Sequence, residues 1–279
     1  MCRAWRRRAP AAYGPMMWST PLAAFVAGAA ISSVTAPVGV SGAVFLLPVQ
    51  LSVLGVASPA VTPTNLIFNV VAGPGALLRH RQTKALGGPL TRTLLRGTLP
   101  GVVIGAALRV FLVPGPDIFR LIVAALLLPL GVWLCVGAAR PRSTRRVPAR
   151  NDASVTGLAL LVGVVGGIYG IGGGSILGPI LVGRGMPISR VAPAALAATF
   201  VTSAAGAVSF GVLAWVADGD VAPDWTIGVA CGIGGLVGGY TGARLQSHLP
   251  DRALRALLGI LATVLAASYA IQAAATLQR

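Results

Sequence analysis

The segment best suited to chemistry is GIYGIGGGSILGP, from Gly167 to Pro179, set in otherwise apolar sequence. Four of the five residues from Gly170 to Gly174 are glycine. In a helix interior each glycine costs about 1 kcal/mol relative to alanine, so the spacing predicts a broken helix. Glycine lets successive backbone N–H groups converge into a nest, and a helix restarting near Ser175 adds its partly positive end. Such an element captures an oxyanion. Ser175 offers a cap or a hydroxyl donor, and Pro179 falls about one turn into the new helix. No lysine follows the glycines, which argues against a phosphate loop and an ATP-driven pump within this chain. The competing use of these glycines is close helix packing, and four in so short a stretch exceed what a packing seam needs.

The residues that are missing support an anion. The chain has no glutamate, and Asp117, Asp152, Asp218, Asp220, Asp224 and Asp251 fall in predicted loops or at the ends of apolar runs. Cation sites and proton relays in membranes rest on buried carboxylates or histidines, so neither is expected. His80 and His248 lie in basic connectors as solvated residues, and Cys2, Cys135 and Cys231 show no metal or redox spacing. No cofactor and no metal site is expected. A polar set follows each break: Thr62, Thr64, Asn65 and Asn69 in one half, Thr199, Thr202, Ser203 and Ser209 in the other. Asn65 and Asn69 share a helical face, where they serve either a ligand or interhelical hydrogen bonds.

The elements that position these residues follow from composition. Of 279 residues only 10% are charged, and the mean hydropathy is +0.82. A soluble domain carries about a quarter charged residues, so a water-soluble globule is excluded. Apolar runs occur at Leu22 to Ala36, Ala43 to Ala57, Ala60 to Leu78, Gly97 to Val113, Ile118 to Ala139, Ala153 to Tyr169, Ser175 to Gly183, Val191 to Ala217, Trp225 to Ala243 and Ala253 to Ala275. A spanning helix needs about 20 residues, so the shorter runs predict broken or re-entrant helices. The fold expected is all-α, with about eight membrane helices. The net charge of +16 would suggest nucleic acid in a soluble protein, but the arginines lie between apolar runs. Lipid is therefore the expected partner, with no nucleic acid. The basic segments at Arg6 to Arg8, Arg79 to Arg96 and Arg140 to Arg150 should face the cytoplasm.

The Arg- and Pro-rich stretch from Ala139 to Ala153 divides the chain, and the two sides match. VGVSGAVFLLP, from Val38 to Pro48, aligns with YGIGGGSILGP, from Tyr169 to Pro179. Gly39, Gly42 and Pro48 then pair with Gly170, Gly173 and Pro179, and Pro63 pairs with Pro193. Asn69 aligns with Thr199, while Gly101 and Gly105 align with Gly235 and Gly239. The parsing is a basic cytoplasmic amino terminus over 1–18, a first membrane repeat over 19–139, a basic linker over 140–152 and a second repeat over 153–276. Duplicated halves are a common transporter plan, with the ligand between them. The connector Asp218 to Asp224 is acidic where its counterpart is basic, which asks for inverted halves and an odd number of crossings in each. The basic amino terminus and linker ask for an even number. The spacing of four in Gly101 and Gly105, and in Gly234, Gly238 and Gly242, suits helix packing.

With GIGGGSILGP, the looser VGVSGAVFLLP and the downstream RVAPAALAATFVTSAAGAVSF in view, the chain resembles the TauE/SafE family of sulfite-exporter-like permeases. The resemblance runs from about Leu22 to Ala275, and the first copy departs from it where Ser41 and Ala43 replace glycine. It implies a multi-pass plasma-membrane permease that exports small anions such as sulfite, sulfonates or related organic anions, and not an enzyme. The candidate ligand set is Gly170, Gly172, Gly173, Gly174 and Ser175 with Gly39, Ser41, Gly42, Asn65, Asn69 and Thr199, shaped by Pro48, Pro63, Pro179 and Pro193. Two other classes stay open: a non-transporting membrane scaffold, and an intramembrane hydrolase with Ser175 as nucleophile. Homo-oligomerisation also stays open.

Overall fold

The computed structural model describes residues 19–36, 40–80, 88–113, 116–139, 152–183, 186, 188–217, 221–245 and, in part, 253–271. Among these every regular element is a helix. α1 spans Ser19–Thr35, α2 Ala43–Ser52, α3 Val61–His80, α4 Pro89–Phe111 and α5 Pro116–Ala139. α6 spans Asp152–Tyr169, α7 Gly174–Gly183, α8 Ile188–Val216 and α9 Trp225–Leu245, and further helical residues lie over 253–271. Gly39, residues 1–18 and nearly all of the linker lie outside the described residues.

The short runs are short helices. α2 and α7 have 10 residues each, about 15 Å of helix, which is half of a hydrocarbon core. α4 starts well before the apolar run that announced it, because Pro89 at its first position is preorganised for a helix and follows an extended Gly88. Arg92 and Arg96 therefore belong to α4 and not to a connector. Pro89–Phe111 and Pro193–Val216 are long and apolar enough to cross a membrane, while Thr20–Thr35, Ala43–Ser52 and Ser154–Tyr169 are apolar and shorter.

Glycine seams set the packing. α1 lies along α9 and α4 along α6; α3 contacts α8 and α9, and α4 contacts α8. A Cβ placed on Gly234, Gly238 or Gly242 would stand 2.0, 2.1 or 2.3 Å from the carbonyl oxygen of Phe25, Ala29 or Ser33. Both series rise together, so α1 and α9 run parallel. On Gly97, Gly101 and Gly105 it would meet the carbonyls of Thr156, Leu160 and Val164 at 2.4, 2.5 and 2.2 Å, so α4 and α6 are parallel too. Gly228 and Gly232 approach Ile67 and Val71, which makes α3 parallel to α9. By contrast Gly73 meets Phe200 while Gly206 meets Leu66, so α3 and α8 are antiparallel. Gly131 against Thr263 and Gly259 against Cys135 give α5 the same antiparallel relation to the carboxy-terminal helical residues.

Polarity is distributed inside out. Val208, Val212 and Trp215 are 67%, 61% and 78% exposed, whereas Gln50, Thr62, Thr64, Asn65, Thr98, Arg109 and Ser203 are fully buried. An apolar exterior of this kind calls for apolar surroundings.

The seams make a direct prediction. Gly238→Val should lower stability by about 1–3 kcal/mol through overpacking. Gly239→Ala, where a Cβ meets nothing within 4 Å, should be neutral or stabilising. Thermal unfolding of the two purified variants in detergent would separate these outcomes.

Candidate functional site

Two breaks interrupt the helices, one before α2 and one before α7. At the second, α6 ends on Gly170 with φ +78°, and the N–H of Ile171 donates to the Gly166 carbonyl at 3.1 Å, closing the helix in a left-handed cap. Gly172 has φ +71°. Three helices press on this segment, two with their backbone and α4 with the Thr98 side chain. A Cβ on Gly170 would lie 2.4 Å from the Thr62 carbonyl oxygen, on Gly173 2.5 Å from Thr98 Cγ2, and on Gly174 1.9 Å from the Ala195 carbonyl oxygen. The glycines are thus needed for close approach as well as for the break, so the packing use read from sequence is present at this segment.

Side chains of α8 hold the unwound stretch. Gly173 N–H donates to Thr202 Oγ1 at 3.1 Å. Ser175 follows the first residue of α7, and its hydroxyl donates to the Ile171 carbonyl at 2.7 Å. Ser175 Oγ also lies 3.3 Å from Thr199 Oγ1, and Thr199 donates to the Ala195 carbonyl at 2.9 Å. Ser203 Oγ would stand 2.7 Å from a Cβ on Gly172, and it is buried with no hydrogen-bond partner among the described residues.

The first break is held from α3. Ser41 Oγ accepts from Ala43 N–H at 3.2 Å and donates to Asn69 Oδ1 at 2.7 Å. Asn65 Nδ2 donates to the Ala43 carbonyl at 2.9 Å. Gly42 packs where a Cβ would meet Ser32 Oγ at 2.9 Å. Asn65 Oδ1 and Asn69 Nδ2 are buried without partners among the described residues. Of the expected set, Ser41, Gly42, Asn65 and Asn69 gather at one break, and Gly170 to Ser175 with Thr199 at the other.

Pro48 ties the two breaks together. It stands inside α2 and has no N–H for the carbonyl four residues earlier, that of Val44. Tyr169, at the end of α6, donates its hydroxyl to that carbonyl at 2.9 Å. Pro63 lies in the first turn of α3 and Pro193 inside α8, while position 179 falls within α7.

Arg109 corrects the expectation that the arginines lie between apolar runs. It is fully buried in α4. Its guanidinium donates from Nε to Thr62 Oγ1 at 3.1 Å and to Ser58 Oγ and the Val113 carbonyl. The Phe119 ring lies 4.0 Å beneath it. Thr62 passes the connection on by donating to the Ile168 carbonyl at 3.2 Å, beside the second break. A charged residue inside the run Gly97 to Val113 was the available signal, since intramembrane ionisable groups are rare and functional. Gln50, fully buried in α2, carried a weaker one.

An all-helical chain with apolar helices and polar groups gathered at interior breaks has the character of a membrane transporter. The family model described as sulfite exporter TauE/SafE matches residues 24–269. The chain belongs to the TauE/SafE sulfite exporter family, a family of membrane transporters and not of enzymes. No curated protein and no solved structure matches it.

Tyr169→Phe should cost about 1–3 kcal/mol of stability, because the Val44 carbonyl loses both its helical and its side-chain donor. Chemical or thermal unfolding of the variant in detergent measures the loss, and an unchanged midpoint would remove the tie between the breaks.

Proposed function

We propose that the chain is a multi-pass plasma-membrane permease that exports a small oxyanion such as sulfite or a sulfonate, held between two inverted repeats at the helix breaks. The observation that carries this is a pair of buried hydrogen-bonding atoms without partners among the described residues, one per break: Asn69 Nδ2 beside Ser41 and Ser203 Oγ beside Gly172. A buried donor left unpaired costs about 1–3 kcal/mol, and an oxyanion would satisfy both. The backbone N–H groups of the breaks that hydrogen bonds among the described residues leave open, at Gly172, Gly174 and Ser175 and at Ser41 and Gly42, would complete the site, with Asn65 and Thr199 at its edge.

Helix packing supports the repeat. If α1 corresponds to α6 and α4 to α9, the α1–α9 contact maps onto α6–α4, and α3–α9 maps onto α8–α4. Corresponding helices run in opposite directions, as the antiparallel pair α3 and α8 does, which is the relation of inverted halves. Because α1 and α3 are both parallel to α9, the chain between them must return, and α2 makes that return. With the carboxy-terminal helical residues counted as one further helix, eight crossing helices and two broken returns would give each half an odd number of passes. With the connector after α3 and the linker after α5 in the cytoplasm, the acidic connector before α9 faces outward. This order sets the start of α1 on the outer side, against the cytoplasmic side that the basic residues 1–18 asked for.

Asn65, Asn69, Ser175, Thr199 and Ser203 are buried and Ser41 is half-buried, so the substrate enters when the halves move apart, as in alternating access. Moving a monoanion out of a cell that is negative inside gains about 2.3 kcal/mol per 100 mV, enough to drive export without a coupling ion. The hydrolase alternative needs a base beside Ser175. The polar neighbours of that hydroxyl among the described residues are the Ile171 carbonyl and Thr199.

Ser203→Ala should leave stability unchanged or slightly raised and lower sulfite flux in proteoliposomes about tenfold, the effect of one hydrogen bond. Undiminished flux with every anion in a panel of sulfite, sulfate, sulfonates and short carboxylates would remove Ser203 from the site. Leu78→Cys should react with an impermeant maleimide only from the cytoplasmic side, and Ala222→Cys only from the outside. Labelling of both from one side would overturn the inverted order.

A further inference from the structure

The two asparagines of α3 leave open one acceptor and one donor. Asn65 Nδ2 donates to the Ala43 carbonyl, and because a carbonyl only accepts, the orientation of this amide is fixed. Its Oδ1, in a side chain that is 0% exposed, has no partner among the described residues. Asn69 uses its oxygen to accept from Ser41 Oγ, which leaves Nδ2 as a donor without a partner in a residue 4% exposed. Both side chains grip the segment from Ser41 to Ala43. They stand one helical turn apart on one face, with Cβ atoms about 5–6 Å from each other, a distance that a ligand of a few heavy atoms spans.

An anion built only of acceptors fits half of this pair. Its oxygens can take the Asn69 Nδ2 hydrogen, but any oxygen brought against Asn65 Oδ1 sets lone pair against lone pair in a buried site, where that repulsion is strongest. We propose that Asn65 and Asn69 select an oxyanion that carries one hydrogen-bond donor of its own. This rests on the transport reading above and narrows its substrate class. Asn69 Nδ2 donates to an oxyanion oxygen, and Asn65 Oδ1 accepts from the substrate's O–H or N–H. Hydrogen sulfite fits where the sulfite dianion does not, and a sulfonate bearing a hydroxyl or amino group fits better than a plain alkanesulfonate.

The test compares ethanesulfonate with 2-hydroxyethanesulfonate, which differ by one donor, as radiolabelled probes for flux through the full chain in proteoliposomes. The wild-type KM for the hydroxylated probe should be lower by about tenfold, the effect of one hydrogen bond. Asn65→Leu should bring the two KM values to within about twofold of each other, and Asn65→Ala makes the same comparison if the leucine variant does not insert. Equal KM values in the wild type, or a ratio that survives loss of Asn65, would overturn the selection while leaving transport in place. Absence of flux for sulfite and both probes would overturn the transport reading, and the selection with it.

Discussion

Unwound backbone inside an apolar protein has no water to turn to, and the arrangement of this chain follows from that constraint. Each break hands its polar groups to a neighbouring helix. Gly173 N–H goes to Thr202 of α8, the Ala43 carbonyl goes to Asn65 of α3, and the Val44 carbonyl, freed by Pro48, goes to Tyr169. The last of these crosses from one break to the other, so a proline in α2 is answered by a tyrosine at the end of α6. Arg109 acts in the same way at longer range, through Thr62 to the Ile168 carbonyl. What these networks leave unpaired among the described residues is a short set of buried atoms, and three of them belong to Asn65, Asn69 and Ser203, which touch the breaks.

Close backbone approach is the second half of the same solution. Carbonyls of Thr62 and Ala195 stand where Gly170 and Gly174 would otherwise carry a Cβ, so α3 and α8 can come this close to the second break only because glycine is there. Along α1–α9 and α4–α6 the glycine spacing of four gives parallel contacts, and these fix the helix directions from which an inverted arrangement is argued. Hydrogen bonding at the breaks and packing along the seams therefore use the same residue type for different reasons.

Much of this was legible in the sequence. The all-helical class followed from apolar runs, the break from Gly170 to Gly174, and the family from the residues around it, because each depends on local composition. The packing of Gly101, Gly105, Gly234, Gly238 and Gly242 was legible from their spacing. The start of α4 was not, since Pro89 extends the helix through Arg92 and Arg96, residues that read as a connector. Arg109 stood out as a charge inside its run, but its partners Ser58, Thr62 and Phe119 are distant in sequence, and only the fold brings them together. Ser203 looked like any serine of a membrane helix until its lack of a partner beside Gly172 became visible. Likewise no spacing links Pro48 to Tyr169, because the bond from Tyr169 to the Val44 carbonyl joins α6 to α2, far apart in the chain.

The measurement closest to the central claim is charge movement by the purified protein in proteoliposomes loaded with sulfite under an imposed potential. The account predicts saturable outward anion current that grows as the interior becomes more negative and needs no added coupling ion. Current no greater than in protein-free liposomes, at every potential and with every anion of the panel, would contradict it.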